Sequence, residues 1–338
     1  MKQNKFQVFM KNPLSQIILF AVIMVILQLL SMAGKIPASF MYALGNTMIY
    51  AISAIGFCLL LGYSGLASLG TAGFIGIGAY AAFYVMQQFG LPYIVALIVT
   101  LVVSIIIGVV VGFISLRIEG IYLAILTLGL SEIIRNLLMA IKPTIKIDLE
   151  NAKLFGLQLG DRGGYFLILA VFVILLWLTS NLINSPTGRA MLAMKNSTSA
   201  AQAMGISLMK FRLLAFVIAT VFAAIAGLMY MIFVRTMTTA TSTLLTLTTS
   251  LNILGAVIIG GAKSLWGTSF GVLIIYGIQS MFLSKIDFFQ KNPAFITMLT
   301  GVLIIVVVMF FPGGFAQIAM NIKFWFKKKF SKAGRGVA

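Results

Sequence analysis

The 338-residue sequence has no histidine, one cysteine and six acidic residues, and each shortage removes a class of chemistry. Without histidine there is no catalytic triad of the usual kind, no histidine-containing zinc site and no imidazole proton relay. The single cysteine, Cys58, lies inside an apolar run, so no disulfide can close within the chain. The acids, Glu119, Glu132, Asp148, Glu150, Asp161 and Asp287, are too scattered to suggest a paired-carboxylate centre. Gly260-Gly261-Ala262-Lys263-Ser264 has the flavour of a phosphate-binding loop but lacks the G-x-x-x-x-G-K-[ST] spacing. The chain therefore reads as no enzyme, carrying no ATPase and calling for no cofactor.

Charge is also scarce. Charged residues make up 9% of the chain and hydrophobic ones 61%, whereas a soluble domain carries about a quarter charged residues. A chain so composed cannot cover itself with a polar surface, and its natural solvent is a bilayer. The net charge of +18 does not indicate nucleic acid, because the Lys and Arg sit between apolar runs and near the C-terminus, the pattern of topogenic charge.

What is present is a series of apolar runs of the length of a membrane span, about 20 residues each. They fall at about 14–33, 44–61, 66–87, 92–116, 121–140, 165–184, 212–234, 244–262, 265–283 and 294–315. The expected fold is thus an all-α polytopic membrane protein of about ten transmembrane helices, with both termini cytoplasmic. Charge supports that arrangement. With the N-terminus inside, fifteen basic residues fall on the inner side against Glu119 alone, and nine basic residues with five acids fall elsewhere. Lys2, Lys5 and Lys11 precede a first run too long for a signal-peptide core, so it reads as an uncleaved span. Residues 1–320 form the transmembrane domain, with an outer loop at about 141–164 and an inner loop at about 185–211. Residues 321–338 form a basic, aromatic cytoplasmic tail suited to the headgroup layer of the lipid bilayer.

Four features stand out within this frame. The inner loop holds Ser199, Ala200, Ala201, Gln202, Ala203 and Met204, an alanine-rich helix former, with Gly205 where such a helix would end. A short rigid cytosolic helix of this kind suits docking onto a partner that drives movement; an ordinary helical connection is the alternative. Glu132 and Arg135 lie well inside the 121–140 span, where an ionisable group costs at least about 2.5 kcal/mol. At i, i+3 they share a face, and pairing, substrate contact and snorkelling at a boundary all remain open. The tract from Ser68 through Gly70, Thr71 and Gly73 to Gly78 holds four glycines in eleven residues, suiting either close helix packing or a broken helix lining a path. Eight threonines between Thr236 and Thr249 suit either backbone satisfaction or a wet path. The G-x-x-x-G spacings at Gly108–Gly112 and Gly267–Gly271 read as packing.

Four stretches, spread from about 60 to 315, resemble one family jointly. They are Gly62-Tyr63-Ser64-Gly65-Leu66-Ala67-Ser68-Leu69-Gly70 with Gly76-Ile77-Gly78-Ala79-Tyr80; Leu116-Arg117-Ile118-Glu119-Gly120-Ile121-Tyr122 with Thr127-Leu128-Gly129-Leu130-Ser131-Glu132-Ile133-Ile134-Arg135; Gly188-Arg189-Ala190 through Ala203-Met204-Gly205-Ile206; and Trp266-Gly267-Thr268 with Phe311-Pro312-Gly313-Gly314. The chain resembles the M-type permease subunits of the branched-chain amino acid ABC importers. The resemblance implies a bacterial plasma membrane, a second homologous permease, two cytosolic ATPases and an extracytoplasmic substrate-binding protein. It implies that residues 199–205 couple to an ATPase, and it makes Ser68, Gly70, Thr71, Gly73, Glu132 and Arg135 candidates for the translocation path. Three departures bear on cargo and coupling. Thr71 stands where relatives commonly have histidine, Gln202 where they often have an acid, and the charged 141–164 stretch replaces a Gly/Asn-rich tract. Urea, a short amide or another amino acid is the alternative cargo, and a secondary transporter the alternative class.

Overall fold

The computed structural model describes residues 13–115, 120–148, 161–239, 242–283, 286–291 and 293–310, together with 118, 153–154, 157–158, 313–315 and 317. Lys2, Lys5, Lys11, Arg117, Glu119, Glu150, Phe311, Pro312 and the 321–338 tail lie outside the described residues.

The elements are helical almost throughout. In chain order they are α1 (Pro13–Met32), α2 (Ala38–Leu59), α3 (Thr71–Phe83), α4 (Tyr93–Ser115), α5 (Ile121–Ile141), α6 (Asp161–Asn184), α7 (Pro186–Asn196), α8 (Thr198–Ala203), α9 (Leu208–Val234), α10 (Leu247–Gly260), α11 (Leu265–Met281), α12 (Asp287–Lys291) and α13 (Pro293–Phe310). Among the described residues, six helices are long and apolar enough to cross a membrane: α1, α2 extended to Ser64, α4, α5, α6 and α9. Each of the ten expected runs coincides with a helix, but α10, α11 and α13 are shorter, and glutamines close the π-helical extension of α3.

Two starts differ most from the expected ones. α2 begins at Ala38, six residues earlier than 44, behind Pro37, which sits well immediately before a helix. The run expected from 66 has no helix until Thr71, and residues 65–70 form an irregular connection. Gly65, at φ +75°, ends the preceding helix in the left-handed region that only glycine enters at no cost.

The core lies where α2, α3 and α9 pack together. Its closest approach is set by a reciprocal glycine pair: a Cβ on Gly78 would overlap the Ala224 carbonyl, and one on Gly227 the Ile75 carbonyl. The glycine tract of α3 thus serves packing in the structure, as do Gly108 and Gly112 against α9 and Gly271 against Ala256 of α10. α4 turns Ala96, Thr100, Ser104, Gly108 and Gly112 inward, one every four residues. Its Ile and Val side chains, such as Ile98, Val102 and Ile106, face outward. In water such a surface would be untenable; in lipid it is the expected one.

Small strands close the end of the molecule opposite α7 and α8. β1 (Thr144–Lys146) pairs antiparallel with β4 (Thr236–Thr238), which places Ile145 opposite Met237, both buried. β2 (Lys153–Leu154) and β3 (Leu157–Gln158) form a minimal hairpin in the 141–164 loop.

Candidate functional site

The inner loop folds as two consecutive helices. Ser185 caps α7, its Oγ accepting from the Gly188 amide, with Pro186 in the first helical position, the arrangement that leaves fewest orphan amides. Met191 and Met194 are fully buried and anchor α7 to the membrane body. Ser197 caps α8, its Oγ accepting from the Ala200 amide. The helix ends in a Schellman motif: the Gly205 amide donates to the Gln202 carbonyl and the Ile206 amide to the Ala201 carbonyl. Gly205 takes the left-handed conformation, φ +80°.

One residue of α8 points inward, Ala201, at 2% exposure. Ser199, Ala200, Gln202, Ala203 and Gly205 are exposed, and Met204 projects with 83% of its surface open.

α7 also reaches inward. Lys195 Nζ donates to the carbonyls of Leu61 (3.0 Å) and Gly62 (2.9 Å). These belong to the π-helical last turn of the long second helix, Leu60–Ser64. Such final carbonyls have no partner within their own helix, and a cation satisfies them well. Burial lowers the Lys195 ammonium below its usual range, and the nearby Lys263 adds to the effect. Beside it, Tyr63 donates to the Lys263 carbonyl (3.1 Å) and Cys58 to that of Ala262 (3.1 Å).

Immediately beyond this turn is a small, partly open cavity of about 10 Å³, room for a single water. Its walls are mostly apolar, Phe57, Leu60, Phe74 and Phe216 among them, and the hydroxyl residues Ser53, Ser68, Thr71 and Thr220 complete it. Ser53 is fully buried there, and its Oγ has no protein partner. Two of the expected path residues, Ser68 and Thr71, therefore share one cavity. Gly70 and Gly73 do not face it, packing instead against Thr127 and Ser131 of α5.

The start of α3 has the orphan amides of any helix N-terminus, and hydroxyls from two other helices take them. Leu69 N donates to Thr127 Oγ1 (3.0 Å), Gly73 N to Ser131 Oγ (2.8 Å) and Ala72 N to Ser250 Oγ (3.0 Å). Thr127, Ser131 and Ser250 were not among the expected site residues, although Thr127 and Ser131 stand four apart on one face of α5. Backbone amides inside a bilayer need internal partners, and small hydroxyls are the side chains that supply them within a packed interface.

Glu132 and Arg135 are paired, Arg135 Nη1 to Glu132 Oε1 at 2.8 Å. They lie apart from the cavity, on the open side of α5, with side chains 47% and 23% exposed. At the opposite end, the Tyr80 hydroxyl donates to the Leu138 carbonyl (3.0 Å), also bonds the Lys142 carbonyl, and meets Thr239 Oγ1 at 2.6 Å. Three of the eight threonines are structural by their position: Thr236 and Thr238 lie in β4, and Thr239 is buried against Tyr80.

Comparison with known proteins adds one family. Residues 39–308 match the family described as the branched-chain amino acid transport system / permease component. The chain is 30% identical, over 213 residues, to the high-affinity branched-chain amino acid transport system permease protein LivM of Escherichia coli, covering 54% of this chain and 50% of that protein. The LivM protein of Salmonella typhimurium gives the same values. The chain thus aligns with about half the length of these relatives. No solved structure matches it.

Proposed function

The chain belongs to the branched-chain amino acid transport permease family, and on that premise we propose that it is one transmembrane half of an ABC importer for branched-chain amino acids. It is a multi-pass membrane protein and not a catalytic subunit. In the proposed assembly it crosses a bacterial plasma membrane ten times, both termini lie in the cytoplasm, and a second homologous permease completes the path. Two cytosolic ATPases sit beneath, and an extracytoplasmic binding protein delivers solute above.

The observation that carries the coupling role is α8: an exposed, doubly capped helix with Met204 projecting, anchored to the body through Ala201 and α7. An ATPase that grips Met204 moves α7 and α8 as a unit, because capped short helices transmit displacement without unravelling. The small cavity at Ser68 and Thr71 is the proposed closed path in its resting form, too small for an amino acid until the helices part. The Glu132–Arg135 face of α5, which lies apart from that cavity, turns toward the second permease. A pair of charges at mid-helix is poorly matched to lipid, whereas a wet interface between two permeases accommodates it and meets both charges of a zwitterion.

The test is reconstitution of the full complex in vesicles with labelled leucine, isoleucine, valine and urea. ATP-dependent uptake of the three branched amino acids is expected. ATPase activity stimulated only by binding protein loaded with urea or another solute keeps the class and changes the cargo, a result that Thr71 in place of the usual histidine would help to explain. Uptake insensitive to ATP depletion but collapsed by an uncoupler overturns the importer reading.

A further inference from the structure

Between the coupling helix and the cavity there is one polar connection that neither the family resemblance nor the composition indicates. α7 ends one residue after Lys195, and α8 begins at Thr198. From α7, the Lys195 side chain runs over Gly65, where an added Cβ would lie 3.2 Å from Lys195 Cγ. It ends on the carbonyls of Leu61 and Gly62. The neighbouring Leu60 belongs to both sides of the joint. Its carbonyl accepts from the amides of Gly65 and Leu66 and from the Ser64 hydroxyl, while its side chain forms part of the cavity wall.

Three properties make this joint suited to movement. The turn at Leu60–Ser64 is π-helical, a geometry less stable than the α-helix and able to revert to it by a change of register. Residues 65–70 that follow are irregular, so a rotation there does not have to bend a helix. Gly65 is left-handed and Gly70 precedes the start of α3, giving the segment a flexible residue at each end. Ser68, between them, lines the cavity.

We infer that Lys195 is the positioning residue that carries displacement of α7 and α8 to the 60–70 joint, and thereby opens and closes the cavity at Ser53, Ser68 and Thr71. The inference rests on the coupling role proposed above for α8. Lys195 touches neither the proposed ATPase-docking surface, which is the exposed face of α8, nor the cavity. It acts through the two carbonyls. Lysine fits the task because its ammonium offers three donors on a flexible stem, so both bonds can persist while the helices shift. A purely apolar contact would let the two elements slide past each other.

The test uses the reconstituted complex with wild-type chain, Lys195→Met and Lys195→Arg, measuring solute uptake and ATP hydrolysis together. Lys195→Met keeps the stem and loses the donors. It is expected to lower solute moved per ATP severalfold, with ATP hydrolysis retained. Lys195→Arg restores two donors and is expected to recover most of the coupling. Hydrogen exchange of residues 60–70, with and without a non-hydrolysable ATP analogue, gives a second measurement. It is expected to change with nucleotide in the wild type and not in Lys195→Met. Unchanged solute per ATP in Lys195→Met, while the wild type couples normally, overturns the role of Lys195 and leaves the importer reading intact. Should Lys195→Met fail to assemble, exchange at 60–70 that is the same in both nucleotide states of the wild type overturns it equally. A wild-type complex with no ATP-dependent uptake overturns both.

Discussion

Glycine carries the tightest constraints at the scale of single residues, and neighbouring positions in the same sequence are constrained to very different degrees. Gly78 and Gly227 each lie against a backbone carbonyl of the opposite helix, whereas Gly129 in α5 has open space where a Cβ would be. Backbone cannot move aside as a side-chain tip can. Gly227→Val is therefore expected to destabilise the fold by at least about 1–3 kcal/mol, the usual range for overpacking. Gly129→Ala should instead be neutral or stabilising by up to about 1 kcal/mol through helix propensity. Thermal unfolding in detergent measures both, and equal effects would contradict the packing described. Tyr80 makes a second residue-scale case. Tyr80→Phe strands the Thr239 hydroxyl and removes the bonds to Leu138 and Lys142, an expected loss of about 1–3 kcal/mol for buried groups left unpaired.

The short elements at the two ends of the molecule depend on their terminal residues. α8 has only six residues, far too short to be stable alone, so its caps and Ala201 decide whether it forms. Gly205→Val places a β-branched residue at φ +80°, at an expected cost of about 1–2 kcal/mol in local stability, read as faster hydrogen exchange across 198–206. Met204→Glu leaves the fold unchanged within about 0.5 kcal/mol, as exposed substitutions usually do. It should nonetheless weaken binding of the ATPase, measurable by co-purification; undiminished binding would remove Met204 from the docking surface. At the other end, bonds from Lys146 and Gln87 hold the exposed Asp148 carboxyl below its usual range. A depressed carboxylate pKa contributes stability above the unfolded value, about 3.9, and that contribution is lost as pH falls through the folded value. Proteolysis of the 144–148 segment should accordingly rise below about pH 4 in the wild type, and Asp148→Asn should already show it at neutral pH. The C-terminal end of α8 was legible at Gly205 because such caps are local, whereas the Ser197 cap appears only in the structure. α7 also carried a local signal, Ser185-Pro186, but its role was not legible, since the carbonyls that Lys195 reaches are about 130 residues away in sequence.

For the whole molecule, the outward face of α5 is the surface on which the second permease is proposed to lie. Ile121, Tyr122, Ile125, Ile133 and Leu137 are exposed there with the Glu132–Arg135 pair among them. With a second permease against that face, removing one charge leaves the other without its partner at the interface. Glu132→Gln alone should then impair uptake and thermal stability more than Glu132→Gln with Arg135→Gln, with a coupling of about 0.5–3 kcal/mol in a double-mutant cycle. Additive effects would show that the pair does not act as a unit. The sequence by itself determined the solvent, the helical class and the places of ten apolar runs, because hydropathy and the spacing of charge are properties of the chain before it folds. The pairing of Glu132 with Arg135 was also within its reach, at i, i+3 on one helix. Only the tertiary structure decided which glycines meet backbone, and that Ser68 and Thr71 share a cavity which Gly70 and Gly73 do not face. It likewise decided that Thr127, Ser131 and Ser250 satisfy the start of α3. These contacts join residues 58 to 178 positions apart, and no local pattern records which helix will lie beside which until all of them pack.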